Sequence, residues 1–251
     1  MKRHLKIIAN NLKTSFGFKK FFCVIAIFIV IFKIKLNVHS DLISLDDFIK
    51  IIFHGPNNLL DNILELLIWS LYQFYLFYIA GDYLYRELKL QSVYNISRLG
   101  SKIKWYIYNQ LNLAIICLFY YIIGIASITV CLFISNEKVI INNIYDIVNV
   151  YFILFISSYF AITVYTIIVL LIKKHNVSLL ILIITIYLSI ELGDLLNIDI
   201  YLPFNQGIIS KHLLCNFGYQ WSYGYLLLMI ILNLFIIKIL MVKNDLLIIL
   251  D

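Results

Sequence analysis

Charged residues are scarce in this chain of 251 residues. Lysine, arginine, aspartate and glutamate together make up 14%, whereas soluble proteins have about 25%. Hydrophobic residues make up 63%, and the mean hydropathy is +0.93. So few charged groups cannot cover the surface of a water-soluble domain, and the composition therefore indicates an integral membrane protein.

The sequence also lacks the short motifs that mark common catalytic and metal sites. It contains no GxxxxGK[ST] phosphate-binding loop, no GxSxG, no HExxH and no CxxC. The four cysteines, Cys23, Cys117, Cys131 and Cys215, are scattered along the chain, as are the five histidines. We therefore expect no catalytic residue, no metal site, no cofactor bound by this chain and no nucleic-acid partner.

Six apolar segments are each long enough to cross a bilayer as a helix, which takes about 20 residues. Helices are favoured because they satisfy their backbone hydrogen bonds within the segment. The expected spans are residues 21–36, 63–80, 105–134, 148–172, 177–193 and 223–240. The third would be about 45 Å long, so we expect it to begin as an interfacial helix. The sequence thus predicts an all-α, multi-pass membrane domain over residues 1–251.

Positive charge is distributed unevenly between the two sets of loops. Of the 20 lysines and arginines, 15 lie on one set of connections. These are the segment before the first span, the connections between spans two and three and between spans four and five, and the end of the sixth span. The positive-inside rule then predicts that both termini lie in the cytoplasm. The abundance of isoleucine, asparagine, lysine and tyrosine suggests an AT-rich genome, so the expected location is a bacterial cytoplasmic membrane.

The N-terminal residues allow more than one interpretation. Residues 4–16 carry apolar side chains near one helical face, which is typical of an amphipathic helix on the membrane surface. Alternatively, they are a positive flank that only sets the topology. No small-residue cleavage site follows Leu36, so we expect the first apolar segment to be a retained span and not a signal peptide.

Several polar side chains fall within the expected spans. Glu191 lies at the end of the fifth span, and Gln73 and Ser157 lie inside the second and fourth. A carboxylate within a bilayer is costly and often marks a functional path, so one interpretation places these three residues on a translocation path. In the other, Glu191 is an interfacial carboxylate that contacts water, and the polar groups only join neighbouring helices.

Residues 194–222 connect the last two spans and read DLLNIDIYLPFNQGIISKHLLCNFGYQWS. The linker carries little charge, contains Pro203 and Gly207, and leads into an aromatic belt of the kind found at the headgroup level. A fully solvated loop would be more polar. The linker therefore either forms short helices that dip into or lie on the outer leaflet, or folds as a compact outer loop.

The segment between the second and third spans is rich in charge for such an apolar chain. From Glu87 to Gln110 it reads ELKLQSVYNISRLGSKIKWYIYNQ. We expect Gly100 to end one helix and Ser101 to cap the next. From charge alone, this is an ordinary loop whose basic residues fix the topology and bind anionic headgroups.

The whole layout resembles the permease subunit of ABC-2 type transporters, a family of bacterial six-span exporters. In that family an acidic residue at the inner end of the second span begins a helical segment. A Gly/Pro-x-Ser-Arg motif follows about a dozen residues later, where this chain reads RLGSKIKW. The chain departs from the family at Leu90-Gln91-Ser92, where Gly-Thr is common, and at Gln110, where lysine is common.

The resemblance implies that the basic segment is a coupling helix that fits a groove on a separate cytoplasmic ABC ATPase. The coupling residues would be Arg86, Glu87, Lys89, Arg98, Gly100, Ser101 and Lys102. ATP and Mg²⁺ would bind to that ATPase, and a second permease chain, identical or similar, would complete the path among the membrane lipids. The substrate would be a peptide, a lipid-linked molecule or a drug. Similarity in size to lantibiotic-immunity permeases favours a peptide.

Two other classes of function stay open. One is a stand-alone membrane sensor or immunity protein that binds a peptide without ATP. The other is an intramembrane enzyme, which would need paired polar catalytic groups within its spans. The sequence shows no Ser-His, Glu-Glu-x-x-x-Arg or paired-aspartate arrangement that would serve such an enzyme.

Overall fold

A computed structural model describes residues 15–38, 44–60, 62–135 and 141–243, and within these ranges the chain is helical with no strand. Most of the amphipathic helix expected over residues 4–16 lies outside the described residues. The helices are α1 (Phe18–Val38), α2 (Leu45–Ile52), α3 (Ile63–Arg86), α4 (Ser92–Leu99), α5 (Lys102–Ile134), α6 (Ile144–Ile172), α7 (His175–Leu196), α8 (Ile209–Leu214) and α9 (Tyr219–Lys243).

Six of these helices, α1, α3, α5, α6, α7 and α9, are long and apolar enough to cross a membrane. The predicted all-α, multi-pass architecture is therefore confirmed. The third span, α5, is a single helix of 33 residues, about 50 Å long. The break precedes it at Gly100, and no proline interrupts the helix after that point.

The spans run in alternating directions, so the lysine-rich connections share one end of the bundle, here called the basic end. At this end lie α4, the start of α5 and the α6–α7 turn, in which Lys173 has a left-handed backbone conformation with φ of 63°. The opposite end carries α2, α8 and two short 3-10 turns, Asp199–Tyr201 and Asn205–Gly207.

Helix α6 is the centre of the bundle. It packs against α3, α5, α7 and α9, and 61% of its most apolar stretch is buried, compared with 22% for α7 and for α9. The exposed faces of α7 and α9 carry leucine, isoleucine and phenylalanine, as a lipid-facing surface requires. The bundle thus has one helix that is mostly buried and two helices at its lipid-facing edge.

Helix α2 is fastened to the opposite end of the bundle by polar contacts. Asp46 accepts a hydrogen bond from the backbone N–H of Asn142 at 3.0 Å, and Lys50 pairs with Asp146 at 2.7 Å. Burial raises the pKa of Asp46, but the backbone N–H of Asn142 and further donors outweigh it and hold that pKa below its usual value. These contacts join the α1–α3 connection to the start of α6.

Aromatic side chains fill the space between α1, α3 and α5. The ring of Phe28 lies 5.5 Å from that of Tyr120 and 5.9 Å from that of Phe53, measured between centroids. Gly124 makes room for Phe28, because a Cβ at this position would lie 2.6 Å from the phenylalanine ring. The α1–α5 contact therefore depends on the missing side chain at Gly124.

Replacing Gly124 with leucine is expected to force α1 away from α5 and to lower stability by about 3 kcal/mol. Gly224→Leu is the matched control, since no described atom lies within 4 Å of a Cβ at this exposed helical glycine. Thermal unfolding of both variants in detergent checks the prediction. An equal loss of stability in the two variants would contradict the packing described for α1 and α5.

Candidate functional site

The basic segment, residues 86–102, continues α3 without interrupting the helix. Glu87–Gln91 forms one π-helical turn, and α4 follows directly. Helix α4 ends at Gly100, as the sequence predicts: its φ is +70°, and its N–H donates to the carbonyl of Ile96 at 2.8 Å. Ser101 occupies the N-cap position of α5, but its hydroxyl makes no capping hydrogen bond to any described residue.

Glu87 faces the interior of the protein. It is 3% exposed, and its Oε2 accepts a hydrogen bond from Nδ2 of Asn95 at 3.1 Å. This contact joins the π-helical turn to the middle of α4. Glu87 therefore holds α4 against the end of α3, and its carboxylate is not available to a partner protein.

Other residues of the segment face solvent. Lys89, Ser97, Gly100 and Lys102 are exposed, as is Lys104 just beyond the segment, and Tyr94 keeps 66% of its surface accessible. The ammonium group of Lys89 lies 5.6 Å from the ring centroid of Tyr85. The side chain of Arg98 lies outside the described part of the chain. The segment thus presents a cationic surface with one large aromatic side chain on α4.

Asp82 connects the basic segment to α1. Its carboxylate accepts a hydrogen bond from Arg86 at 2.9 Å, one helical turn away, and also pairs with Lys20 of α1. Arg86 is thus engaged within the protein. Sequence reasoning did not single out Asp82, although its spacing of four residues from Arg86 is the usual one for an ion pair on a helix.

Gln73 belongs to a buried hydrogen-bonded cluster in the middle of the bundle. Its Nε2 donates to the Ser158 hydroxyl at 2.8 Å, and its Oε1 accepts from the Tyr121 hydroxyl at 2.8 Å. The cluster links α3, α5 and α6. These polar groups therefore satisfy one another, as an apolar environment requires.

Ser157 lies beside Gln73 but faces the α7–α9 linker. The two residues line a cavity of about 10 Å³, large enough for a single water molecule. A Cβ on Gly207 would lie 2.2 Å from the Ser157 hydroxyl, so the linker approaches α6 closely here. Glu191 is not part of this site: its Oε1 accepts a hydrogen bond from the backbone N–H of Leu59 at 2.9 Å, at the opposite end.

The linker dips into the bundle. Gly207 lies beside Ser157 and near Gln73, which is ten residues, or about 15 Å, from the start of α3. The linker therefore packs against the inner part of the bundle and contains short helical turns. Backbone that leaves regular secondary structure at such depth must be satisfied within the protein.

Buried polar side chains supply those hydrogen bonds. Lys211 and Asp199, 1% and 4% exposed, form an ion pair at 3.1 Å, and Asn205 Nδ2 donates to the same carboxylate at 2.6 Å. Gln206 Nε2 donates to the Ile200 carbonyl at 2.9 Å. Burial lowers the pKa of the neighbouring His212, although two backbone carbonyls that contact its ring oppose that shift.

A second cavity lies at the opposite end, between α1, the end of α2 and the start of α3. It has a volume of about 230 Å³, and its lining includes Lys35, His54, Asn57, Asn62 and Glu65. Lys35 is 2% exposed and pairs with Glu65, whose Oε2 is buried and has no hydrogen-bond partner among the described residues. No local sequence pattern predicts this pair, because its members lie 30 residues apart.

No family model matches the chain, and no curated protein or solved structure matches it either.

Replacing Lys211 with methionine is expected to lower stability by about 3–5 kcal/mol, because it leaves the Asp199 carboxylate buried without a cation. Lys50→Met is the control, since the side chains of its ion pair with Asp146 are 32% and 27% exposed, and its loss should cost about 1 kcal/mol at most. Chemical unfolding in detergent compares them. Equal losses in the two variants would contradict the buried linker.

Proposed function

We propose that this chain is the permease subunit of an ATP-driven exporter, with its basic end in the cytoplasm of a bacterial cell. The observation that carries the proposal is the basic segment, a solvent-facing helical unit held firmly between two spans. Such a unit offers a cytoplasmic protein a surface for binding to the membrane domain. The resemblance to ABC-2 permeases, which the sequence suggests, identifies that protein as an ABC ATPase.

The contacts of the segment support transmission of movement into the bundle. Helix α4 continues α3 through a helical turn, and the buried Glu87–Asn95 hydrogen bond stiffens that connection. A displacement of α4 therefore moves the end of α3. The Asp82 carboxylate, bonded to Arg86 and Lys20, passes the same displacement to α1.

In this proposal two permease chains enclose the path and two ATPase subunits bind ATP and Mg²⁺. Closure of the ATPase pair moves both basic segments, and the spans rock to release substrate on the other side. The residues that contact the ATPase are Tyr94, Lys89, Lys102 and, by the resemblance, Arg98. Glu87 and Gly100 act by positioning them. The substrate class proposed first is a peptide, with lipid-linked molecules and drugs as alternatives.

Replacing Tyr94 with aspartate is expected to weaken ATPase binding by about thirtyfold, because exposed tyrosines often dominate an interface. The control is Tyr145→Asp, which changes a tyrosine that is 75% exposed at the opposite end of the bundle. Affinity purification of each tagged variant from its native host, with quantification of the co-purified ATPase, measures the effect.

One outcome would contradict the transporter assignment, and a second would contradict only the contact placed on α4. Purification of the unaltered chain without any ATPase would remove the transporter assignment. An ATPase that stays bound to Tyr94→Asp as firmly as to Tyr145→Asp would keep the assignment but move the contact away from α4.

A second candidate function rests on the cavity at the opposite end. The Glu65 Oε2 atom accepts no hydrogen bond from the described residues, so it offers an acceptor to a cationic group. A stand-alone sensor or immunity protein would bind a basic peptide side chain there without ATP. The cavity of about 230 Å³ has room for one such side chain.

This alternative predicts that the purified chain in nanodiscs binds a cationic antimicrobial peptide in the absence of any ATPase. Glu65→Gln should weaken that binding about tenfold, since Glu65 is the one acidic side chain among the described residues that line the cavity. Glu191→Gln is the control, because its carboxylate bonds to Leu59 outside the cavity. Isothermal titration compares the variants, and equal affinities would exclude this use of the cavity.

A further inference from the structure

A groove on the lipid-facing surface lies between α5, α6 and α9, near the basic end. Its volume is about 420 Å³, within the usual range for small-molecule sites. Apolar side chains form most of its walls, including Ile231 and Phe235, which are 66% and 61% exposed. A groove of this kind on a membrane protein accommodates a hydrocarbon chain.

Two polar groups distinguish the groove from a plain apolar surface. Gln110 lines it and is only 5% exposed, yet its Nε2 has no hydrogen-bond partner among the described residues. Its Oε1 is already engaged by the Tyr159 hydroxyl at 3.4 Å. A buried amide donor without an acceptor is costly, so the groove favours an occupant that brings an acceptor oxygen.

The second polar group is Lys238, which is exposed and lines the groove nearer the basic end. The Tyr106 hydroxyl donates to the Leu234 carbonyl, which places these two residues at the same depth. Gln110 lies four residues after Tyr106 on α5, away from the basic end. Lys238 lies four residues after Leu234 on α9, toward the basic end. The Cα atoms of Gln110 and Lys238 are therefore about 12 Å apart along the bundle, and because each side chain leans toward the N-terminus of its helix, the amide and the ammonium lie closer together than that.

We propose that this groove binds one anionic phospholipid of the surrounding leaflet. The acyl chain fills the apolar part, Gln110 Nε2 donates to an ester carbonyl, and Lys238 pairs with the phosphate. No acidic residue is among the described residues that line the groove, so nothing there would attract the ammonium group of a zwitterionic headgroup. The site is independent of the proposed contact with an ATPase.

Photo-crosslinking in nanodiscs tests the site directly. The chain is reconstituted in phosphatidylcholine with a small share of a phosphatidylglycerol or a phosphatidylcholine that carries a diazirine on its acyl chain. Mass spectrometry then locates the label. We expect the phosphatidylglycerol probe to label the 231–238 stretch of α9 about five times more than the phosphatidylcholine probe, because both carry a phosphate but only phosphatidylglycerol has a net negative charge for Lys238 to attract.

Matched variants separate the headgroup from the chain. Lys238→Gln should abolish the fivefold preference for the phosphatidylglycerol probe. Lys104→Gln should leave that preference intact, because Lys104 is exposed at the same end of the bundle but lies outside the groove. Ile231→Trp should block labelling of the groove with both probes. Leu232→Trp, on the same exposed helix but outside the groove, should not.

Three results would overturn the proposal. Equal labelling by the two probes would exclude a site for an anionic headgroup. Loss of preference in Lys104→Gln as large as in Lys238→Gln would reduce the effect to the general charge of the basic end. Crosslinks between two copies through the 231–238 stretch, in place of lipid label, would assign the groove to a protein interface.

Discussion

The bilayer offers no hydrogen bonds to the groups it surrounds, and this constraint explains most of the arrangement of this protein. Gln73, Tyr121 and Ser158 satisfy one another at the centre of the bundle. The linker between the last two spans can dip beside α6 because Asp199, Lys211 and Gln206 carry its polar contacts internally. Gln110 is one of several described residues with a buried polar atom that lacks a partner, and at Gln110 the surrounding groove points to a ligand.

At the basic end, internal contacts hold the basic segment in place while other side chains of the segment stay exposed. Glu87 is buried against Asn95, and Arg86 is bound to Asp82, so two of the charged residues in the segment serve its own structure. The lysines and Tyr94 remain outside. This division suits a helix that contacts a partner protein. The exposed charges can bind the partner, while the buried contacts keep the helix in place.

Much of the fold could be read from the sequence, since six long apolar runs and the helix stop at Gly100 are local signals. The contacts of the candidate site were harder to predict from the sequence. Whether Glu87 faces inward depends on Asn95, eight residues later and beyond a π-helical turn that no local pattern predicts. The Lys35–Glu65 and Asp82–Lys20 pairs join different helices. Helix ends follow from composition, but side-chain partners follow from packing.

We propose above that α4 is the helix that a cytoplasmic ATPase contacts. A photoreactive amino acid at position 94, introduced in the native host, tests it most directly, because it reports only what touches that side chain. We expect a crosslink to a soluble protein with a phosphate-binding loop of the GxxxxGK[ST] type. A crosslink confined to lipid, or to another copy of this chain, would contradict it.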